Sequence, residues 1–363
     1  MNETLKVGIV GVSAERGWAR EGHVPAVQAL AGLELAAVAT RDQRTADAAA
    51  ATFGAARAYG TPADLIADPD LDIVTVAAPV PTHHDLIMAA LAAGKHVLTE
   101  WPVGTSTAQT QEIAARSGGS GLRTAVDLQS RMNPAALRAL ELVKTGEIGR
   151  IISATVCSTT AAFGRRIPEA ARYLEDPASA MNLSTIQTAH TLDFAIRLAG
   201  ALTSLAALTT IQYPDLEIGD PPAPAHRVVP DHVLVHGRLS AGGALAVQVA
   251  GGRPADDTPF RMDIVGEDGV LALTGGAPRG FQSGVLNLAL NGQPIDAGGG
   301  ETAGLPEPAV NVAGVYAALR DDIRHHTSTV PNFDHAVRLS HLIEDLRTSA
   351  AAQRTVTPTA DWP

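Results

Sequence analysis

Residues 74–102 read VTVAAPVPTHHDLIMAALAAGKHVLTEWP, and this stretch decides the fold of the N-terminal part of the chain. It begins inside an apolar run, residues 73–78, that is typical of a buried strand. Residues 85–93 have helical spacing, and residues 96–99 form a second strand-like run that ends in Glu100-Trp101-Pro102. Two strands separated by a helix and joined by short links predict neighbouring parallel strands in one sheet.

The same alternation continues on both sides of this stretch. Strand-like runs at residues 5–10, 33–39 and 124–128 alternate with helical segments at residues 23–31, 45–53 and 107–116. The runs are continuously apolar, as expected for strands that are covered on both faces. We therefore predict an α/β Rossmann domain, a doubly wound parallel sheet, over residues 1–130.

A different pattern occupies the rest of the chain. After a predicted helix at residues 133–144, long β-rich runs follow at residues 151–160, 204–213, 233–239, 244–250, 260–266 and 270–274. Glycine-rich turns join several of them, which favours antiparallel pairing. A helix is predicted at residues 185–198, loops at 219–225 and 292–308, and a last helix at about 334–351. We predict an α+β domain over residues 131–363, with a large, mostly antiparallel open sheet for substrate binding and oligomerisation.

The composition limits the classes of partner. The 363 residues carry a formal net charge of −11, which argues against nucleic acid as a partner. The one cysteine, Cys157, permits no intrachain disulfide, and a buried inert thiol is favoured over a nucleophile. No apolar stretch reaches about 18 residues, and the N-terminus does not resemble a signal peptide. We expect a cytoplasmic protein with no membrane partner.

The first predicted strand runs into a glycine-containing loop, residues 8–18, that reads GIVGVSAERGW. Gly11 allows the tight turn and the close approach of backbone N–H groups to a pyrophosphate. Ser13 stands where the second glycine of G-x-G-x-x-G would be, and Gly17 comes late, so the motif is irregular. The Ser13 hydroxyl can donate to a phosphate oxygen, and Arg16 adds positive charge. A plain tight turn is the alternative for the loop alone, but the surrounding alternation favours a dinucleotide.

The end of the second strand bears on the choice of dinucleotide. An acidic residue there would bond the ribose hydroxyls and favour NAD, but Thr40 and Arg41 come before Asp42. Arg41 can pair with a 2′-phosphate or stack on adenine, and the alternative is a solvated loop residue. We expect NADP as the cofactor, with NAD as the alternative.

The stretch 74–102 resembles the Gfo/Idh/MocA family of NAD(P)-dependent sugar and polyol oxidoreductases. In that family a turn similar to Ala-Thr-Pro-Asn precedes a histidine, and Ala-Gly-Lys-His-Val leads to Glu-Lys-Pro. The resemblance extends over almost the whole chain, through residues 128–134, 146–149, 190–193 and 332–337. Residues 11–18, 100–101, 190–193 and 229–232 are closer to one branch, that of a fungal galactose-pathway repressor, a dehydrogenase-like regulator.

These observations and the resemblance together nominate two sets of site residues. The cofactor-binding set is Gly11, Ser13, Arg16, Gly17, Trp18, Thr40, Arg41, Ala78, Pro79, His83, Glu100, Trp101 and Gln129. The substrate-binding set is Trp101, Arg131, Tyr173 and His190. His83 and His84 resemble a metal pair, but adjacent side chains seldom converge, so no metal site is predicted.

The resemblance also shows which catalytic groups differ. The lysine of Glu-Lys-Pro helps to move the proton that accompanies hydride transfer in the family, and its position here is Trp101. An indole N–H is only a hydrogen-bond donor. The family also tends to place an acid four residues before the helix histidine, where this chain has Ile186. His190 is therefore the candidate acid or base, because its unperturbed pKa lies near neutrality.

Several of these side chains can also be interpreted as having a purely structural role. His190 can bond a neighbour and shape the pocket without catalysis, and Asp193 on the same helix face is expected to be a structural partner. Arg131 can bind an anionic or polyol substrate or form a salt bridge. Trp101 can stack on a sugar, close over the nicotinamide or belong to the core, and Tyr173 is a candidate substrate-binding hydroxyl.

Three functions remain open from the sequence. The leading one is an NAD(P)-dependent oxidoreductase for a sugar, polyol or related carbonyl compound, with His190 or a water replacing the lysine. The second is a catalytically silent dinucleotide-binding regulator, which would need a protein partner because the sequence has no helix-turn-helix or basic stripe. The third is a non-redox enzyme that holds NAD tightly. By family analogy we expect a homodimer or homotetramer.

Overall fold

The computed structural model describes residues 4–362 and divides into two compact units. The first unit contains residues 4–129 together with Gly299–Val337. The second unit contains Ser130–Gly298 and the chain from Arg338 onward. The sequence analysis assigned residues 299–337 to the second domain, whereas their contacts lie within the first unit.

A six-stranded parallel sheet forms the centre of the first unit, in the order β3-β2-β1-β4-β5-β6. Its strands are β1 (Leu5–Val10), β2 (Leu33–Ala39), β3 (Arg57–Tyr59), β4 (Ile73–Val76), β5 (His96–Glu100) and β6 (Thr124–Asp127). This strand order is the doubly wound arrangement, so the predicted fold class is confirmed. Strand β3 was not predicted, because a three-residue, half-buried segment has no apolar run to mark it.

Helices flank this sheet. They are α1 (Val24–Ala29), α2 (Gln43–Phe53), α3 (Pro62–Ile66), α4 (His83–Ala92) and α5 (Thr107–Ser117). Three of these five, α2, α3 and α5, begin at a side-chain cap. The Asp42 carboxylate accepts a hydrogen bond from the Thr45 N–H at the start of α2, and Ser106 caps α5 in the same way. A single π-helical turn, Ala19–His23, precedes α1 and places His23 in the interior.

An eight-stranded sheet forms the second unit, in the order β17-β16-β15-β14-β7-β13-β12-β9. Its strands are β7 (Ile151–Thr159), β9 (Leu202–Thr210), β12 (His232–Leu239), β13 (Ala244–Ala250), β14 (Phe260–Gly266), β15 (Val270–Gly275), β16 (Leu286–Leu290) and β17 (Gln293–Ile295). All neighbouring strands are antiparallel except β7 and β13. The predicted mostly antiparallel sheet is confirmed.

The second unit also contains a small three-stranded sheet. It consists of β8 (Arg166–Ile167), β10 (Asp215–Ile218) and β11 (Ala223–His226). The predicted loop at residues 219–225 therefore ends in a short strand, which its prolines and small residues concealed from the sequence pattern.

Two helices of the second unit cover the large sheet and position the predicted substrate residues. They are α6 (Pro134–Lys144) and α7 (Gln187–Ala199). Helix α7 is almost entirely buried. Its Phe194 packs edge-on against Phe260 and Phe281, with ring centroids 5.8 and 5.2 Å away. These contacts hold the helix that carries His190.

The C-terminal part of the chain contributes two further helices, α8 (Glu307–His325) and α9 (Phe333–Ala352). Helix α8 was missed by the sequence analysis. It packs against α1, and after it the Val126 N–H of β6 donates to the Pro331 carbonyl over 2.8 Å. No local sequence pattern indicates that residues 299–337 pack against the first unit. This is why the sequence analysis assigned them to the second domain. Within the described part of the chain, no helix combines the length and apolar character that crossing a bilayer requires.

Candidate dinucleotide and substrate sites

A cavity of about 710 Å³ opens at the carboxyl ends of β1, β2 and β4 in the first unit. In a doubly wound sheet this edge is where nucleotides bind. The cavity brings together seven of the predicted cofactor residues, namely Gly11, Ser13, Arg16, Thr40, Arg41, Ala78 and Pro79. They come from three loops that are far apart in the sequence, and the fold places these loops around one cavity.

Gly11 is required by the geometry of the first loop. Its φ is +97°, a conformation that residues with a side chain rarely adopt, and a Cβ there would lie 2.5 Å from the Ala77 carbonyl oxygen. Gly17 also has a positive φ, +102°, but a Cβ there would meet no atom within 4 Å. The irregular motif thus retains the glycine that lets the β1 and β4 turns approach each other.

The cavity is rich in positive charge. Arg16, Arg41 and Arg44 line it together with one acidic residue, Glu15, so the charged lining is net positive. The Arg41 side chain is 93% exposed, so it is both solvated and available to a ligand. The Asp42 carboxylate accepts the Thr45 N–H, and this hydrogen bond lowers the pKa of Asp42. The acid near the end of β2 is therefore engaged as a helix cap, which leaves arginines facing the cavity.

Arg44 is a site residue that the sequence analysis missed. It follows Arg41 by three residues and lies in the first turn of α2, so both side chains reach the same cavity. The helical spacing of two arginines after a predicted strand was the signal that could have found it.

Several predicted cofactor residues do not line this cavity. The His83 ring is buried, with Nδ1 2.8 Å from the Pro102 carbonyl and Nε2 2.8 Å from the Ala78 carbonyl. It ties together the turns after β4 and β5, and burial lowers its pKa. His84 instead lies near Asp85 and Glu112 on the surface, so the two histidines point apart. The other predicted cofactor residues outside the lining are Gly17, Trp18, Glu100, Trp101 and Gln129.

A buried polar network lies at the carboxyl ends of β5 and β6. His23 Nε2 lies 2.5 Å from Glu100 Oε1 and 3.8 Å from Asp127 Oδ2. His23 Nδ1 lies 3.1 Å from the Tyr316 hydroxyl, which lies 2.8 Å from the Thr75 hydroxyl. Of these five residues only Glu100 was predicted, because the other four come from separate elements and match no motif.

Burial dominates the protonation of this network. It raises the pKa of Glu100 to about 7, and burial with repulsion from Glu100 raises that of Asp127 well above its usual value. Burial lowers the pKa of His23 and raises that of Tyr316 well above its usual value. These shifts favour neutral side chains over separated charges, and they place the titration of Glu100 near pH 7.

The predicted substrate residues lie in the second unit, apart from Trp101 in the first. Arg131 donates to Asp193 Oδ1 over 2.7 Å. Of the two roles predicted for Arg131, substrate binding and a salt bridge, the structure shows the salt bridge. Asp193 is fully buried and is the expected structural partner. His190 is 4% exposed, and its Nδ1 has no hydrogen-bond partner among the described residues. Burial lowers the pKa of His190 to about 4, so the ring is neutral at pH 7.

Three other predicted residues, Tyr173, Trp101 and Cys157, differ in their exposure. Tyr173 lies in a 3-10 turn, Glu169–Glu175, and is 47% exposed. Trp101 is buried with 6% exposure. Cys157 is half-buried on β7, more exposed than the predicted buried thiol, because side chains alternate between the two faces of that strand.

Comparisons with known proteins match each unit to a family. The family described as "Oxidoreductase family, NAD-binding Rossmann fold" (Gfo/Idh/MocA) matches residues 5–128. The family described as "Gal80p, C-terminal domain" matches residues 134–275. The resemblance inferred from the sequence is confirmed.

Individual relatives include both an enzyme and a regulator. The dehydrogenase aclE of Aspergillus oryzae is 28% identical over 286 residues, covering 76% of this chain and 78% of that protein. The galactose/lactose metabolism regulatory protein GAL80 of Saccharomyces cerevisiae is 27% identical over 305 residues, covering 79% and 69%. A levoglucosan dehydrogenase solved with NADH and L-sorbose has the same fold, with a TM-score of 0.83, 20% identity and 98% of both chains covered. The chain therefore combines a Rossmann domain of the Gfo/Idh/MocA oxidoreductase family with a Gal80-like C-terminal domain.

Proposed function

We propose that this protein is an NAD(P)-dependent oxidoreductase that acts on a sugar, a polyol or a related carbonyl compound. The cavity at the carboxyl ends of β1, β2 and β4 carries this proposal, because its glycine turn and arginines suit a dinucleotide. The dehydrogenase aclE supports a dehydrogenase activity by similarity, and a D-xylose 1-dehydrogenase of Haloferax volcanii, 34% identical over 46% of this chain, supports the sugar class.

The residues present fit the dinucleotide in both charge and shape. The absence of a Cβ at Gly11 lets the turns after β1 and β4 approach each other at the cavity, and Ser13 and Arg16 offer a pyrophosphate a hydroxyl and a positive charge. Thr40, Arg41 and Arg44 would hold the adenosine end of the dinucleotide. When bound, the nicotinamide supplies the chemistry of hydride transfer. Neutral, buried His190 would accept a hydrogen bond from the substrate in the second unit.

The activity test uses purified protein, NADP and NADPH, and a panel of aldoses, ketoses, anhydrosugars and polyols, followed by absorbance of the reduced cofactor. We expect turnover of at least one member, and a His190→Ala variant should lose at least about a hundredfold in kcat/KM. His325→Ala, at the exposed end of α8, is the matched control and should keep wild-type activity. Unchanged kcat/KM in His190→Ala would contradict the role of that side chain.

A catalytically silent regulator is the second candidate. Trp101 at the position of the family lysine and the Gal80-like domain over residues 134–275 favour it. Micromolar binding of NADPH with no turnover of any panel member would support this candidate over the first.

The arginines predict a preference for NADP over NAD. We expect Arg44→Ala and Arg41→Ala each to raise the Kd for NADPH by about 10- to 100-fold, because a charge-assisted bond to a 2′-phosphate contributes about 1.5–3 kcal/mol. The Kd for NADH should change less than about threefold in both variants, as measured by fluorescence titration. Arg116→Ala, on the exposed end of α5, is the control. Equal losses for both cofactors would contradict the assignment of a 2′-phosphate site.

The open face of the large sheet is proposed to bind a second copy of the chain. Leu208 and Leu234 are paired in register on β9 and β12 and are 51% and 44% exposed. Paired apolar side chains on a sheet face are typical of a surface that is covered by a partner. Light scattering should give a dimer or tetramer mass, and Leu234→Asp should shift it to that of a monomer. A monomer mass for the wild type would exclude this interface.

A further inference from the structure

The network at the ends of β5 and β6 is a continuous path of exchangeable protons. It joins the hydroxyls of Thr75 and Tyr316, the two ring nitrogens of His23 and the Glu100 carboxyl group, at separations of 2.8, 3.1 and 2.5 Å. His23 is fully buried, whereas the Glu100 side chain is 22% exposed. The path therefore begins in the interior and reaches solvent at Glu100.

Each link of this path can reverse its direction. A neutral imidazole has one N–H, so His23 Nε2 either donates to the Glu100 carboxylate or accepts from the Glu100 carboxylic acid. The Tyr316 and Thr75 hydroxyls can each act as donor or acceptor towards the other. A proton can consequently be taken up or released at Glu100 with only local changes of hydrogen bonding.

The charges around Glu100 favour one exchangeable proton near pH 7. Its titratable neighbours are His23, Asp127 and Tyr316, and all three are buried; burial lowers the pKa of His23 and raises the pKa values of Asp127 and Tyr316. Asp127 and Glu100 are hydrogen-bonded to each other, and repulsion between two buried carboxylates disfavours ionisation of both, so the pair retains a proton. Glu100, whose pKa burial raises to about 7, is the member of the pair whose side chain reaches solvent.

A metal ion is a poorer explanation of the same cluster. Ligand atoms of His23, Glu100 and Asp127 lie within 4.8 Å of one another. Two ligands at about 2.0–2.1 Å from a tetrahedral zinc would be separated by roughly 3.3 Å. The observed separation of His23 Nε2 and Glu100 Oε1 is 2.5 Å, which is a hydrogen-bond distance.

The location of Glu100 connects this path to the chemistry. Strands β5 and β6 belong to the half of a doubly wound sheet that binds the second mononucleotide. Glu100 directly precedes Trp101, which stands where related dehydrogenases have the lysine that moves the proton. We propose that Glu100, connected through His23 to Tyr316, takes over the proton exchange of that missing lysine. This inference rests on the proposed oxidoreductase function.

The exchange balances the reaction as follows. A bound dinucleotide would supply the hydride chemistry when an alcohol is oxidised to a carbonyl compound. The Glu100 carboxylate would take the O–H proton of the alcohol, become a carboxylic acid and release this proton to solvent. In the reverse direction Glu100 donates the proton. His23 is a positioning residue in this scheme.

The first test needs no substrate or cofactor. Infrared titration of the purified protein should show a carboxylic acid C=O band that disappears with a midpoint near pH 7, and Glu100→Gln should remove this transition. Glu112→Gln, an exposed carboxylate on α5, is the matched control and should keep the transition. If no carboxyl group titrates above about pH 6, or if the transition persists in Glu100→Gln, the inference is overturned. Stoichiometric zinc binding that is lost in Glu100→Gln would also overturn it.

Thermal melting gives a second readout with a defined sign. Between pH 4.5 and about 7 the folded protein keeps a proton on Glu100 that the unfolded chain has released, so its stability falls as the pH rises through this interval. Glu100→Gln should show a smaller fall in Tm over the same interval than the wild type. An identical pH dependence of Tm in the two proteins would contradict the assignment.

The third test uses the panel member that the wild type turns over. Glu100→Gln should lower kcat by at least about a hundredfold with little change in KM, and His23→Gln should shift the pH profile of kcat. Unchanged kcat in Glu100→Gln would overturn the proton exchange alone and leave the oxidoreductase proposal intact. Absence of turnover by the wild type would overturn both.

Discussion

Replacing Arg227 by alanine is expected to lower the free energy of unfolding by about 3–5 kcal/mol, the usual effect of removing one partner of a buried ion pair. Arg227 is a fully buried arginine in the second unit. Its guanidinium lies between two carboxylates and two backbone carbonyls, so its loss would leave several buried groups without a partner at once.

Every N–H of this guanidinium has an acceptor. Nε and one terminal nitrogen donate to Glu175 over 2.9 and 2.7 Å, and two further N–H groups reach the carbonyls of Phe163 and Gly164 over 2.6 and 2.9 Å. The fifth reaches Asp231 over 3.0 Å. These hydrogen bonds connect the loop at residues 163–175 to the segment that precedes β12.

Thermal denaturation of the full chain measures this effect. We expect Arg227→Ala to lower the Tm by roughly 10 °C, given about 2–4 °C per kcal/mol for a unit of this size. Arg227→Lys should lower it less, because lysine keeps the charge but has only three donors. Arg150→Ala removes an exposed ion pair with Glu267 and should change stability by about 1 kcal/mol or less. If Arg227→Ala and Arg150→Ala melted alike, the buried network would have no role in stability.

Gly11→Ala is expected to raise the Kd for NADPH by about a hundredfold while the protein remains folded. The added Cβ would lie 2.5 Å from the Ala77 carbonyl oxygen, and φ of +97° disfavours a side chain. The loops after β1 and β4 would have to separate, and strain of about 1–3 kcal/mol would fall on the turn that faces the cavity. A loss of about 2.7 kcal/mol in binding corresponds to this hundredfold change.

Gly17→Ala is the matched control, since Gly17 has a similar φ of +102° but open space around its Cβ position. It should weaken NADPH binding by less than about tenfold, because it adds strain without a clash. Fluorescence titration measures both Kd values, and melting curves verify that each variant is folded. Equal Kd values for Gly11→Ala and the wild type would exclude this loop from the dinucleotide site.

The candidate dinucleotide site illustrates what local patterns can and cannot predict. Gly11, Ser13 and Arg16 were predicted because the loop follows an apolar strand and resembles a known motif. Arg44 was missed although it lines the same cavity, since the face that a helix presents depends on how it packs. His83 was predicted to bind the cofactor, but its ring lies between two backbone carbonyls, a contact that no sequence pattern records.

Local sequence patterns were sufficient to predict the doubly wound sheet and the mostly antiparallel second sheet, and a motif resemblance was sufficient to predict the family of the Rossmann domain. Hydrophobic periodicity and glycine turns act over a few residues, so they can be recognised along the chain without knowledge of its path. The assignment of Trp101 to the position of the family lysine came from the resemblance and stays a prediction.

Only the tertiary structure brought His23, Glu100, Asp127 and Tyr316 together, from positions up to 293 residues apart. It also returned α8 to the first unit, where Tyr316 completes the network. Contacts over such separations depend on the packing of whole elements, and the protonation of Glu100 depends on burial that these contacts create. The architecture of both sheets could therefore be predicted from the sequence, whereas the packing of α8 and the surroundings of Glu100 could be known only from the tertiary structure.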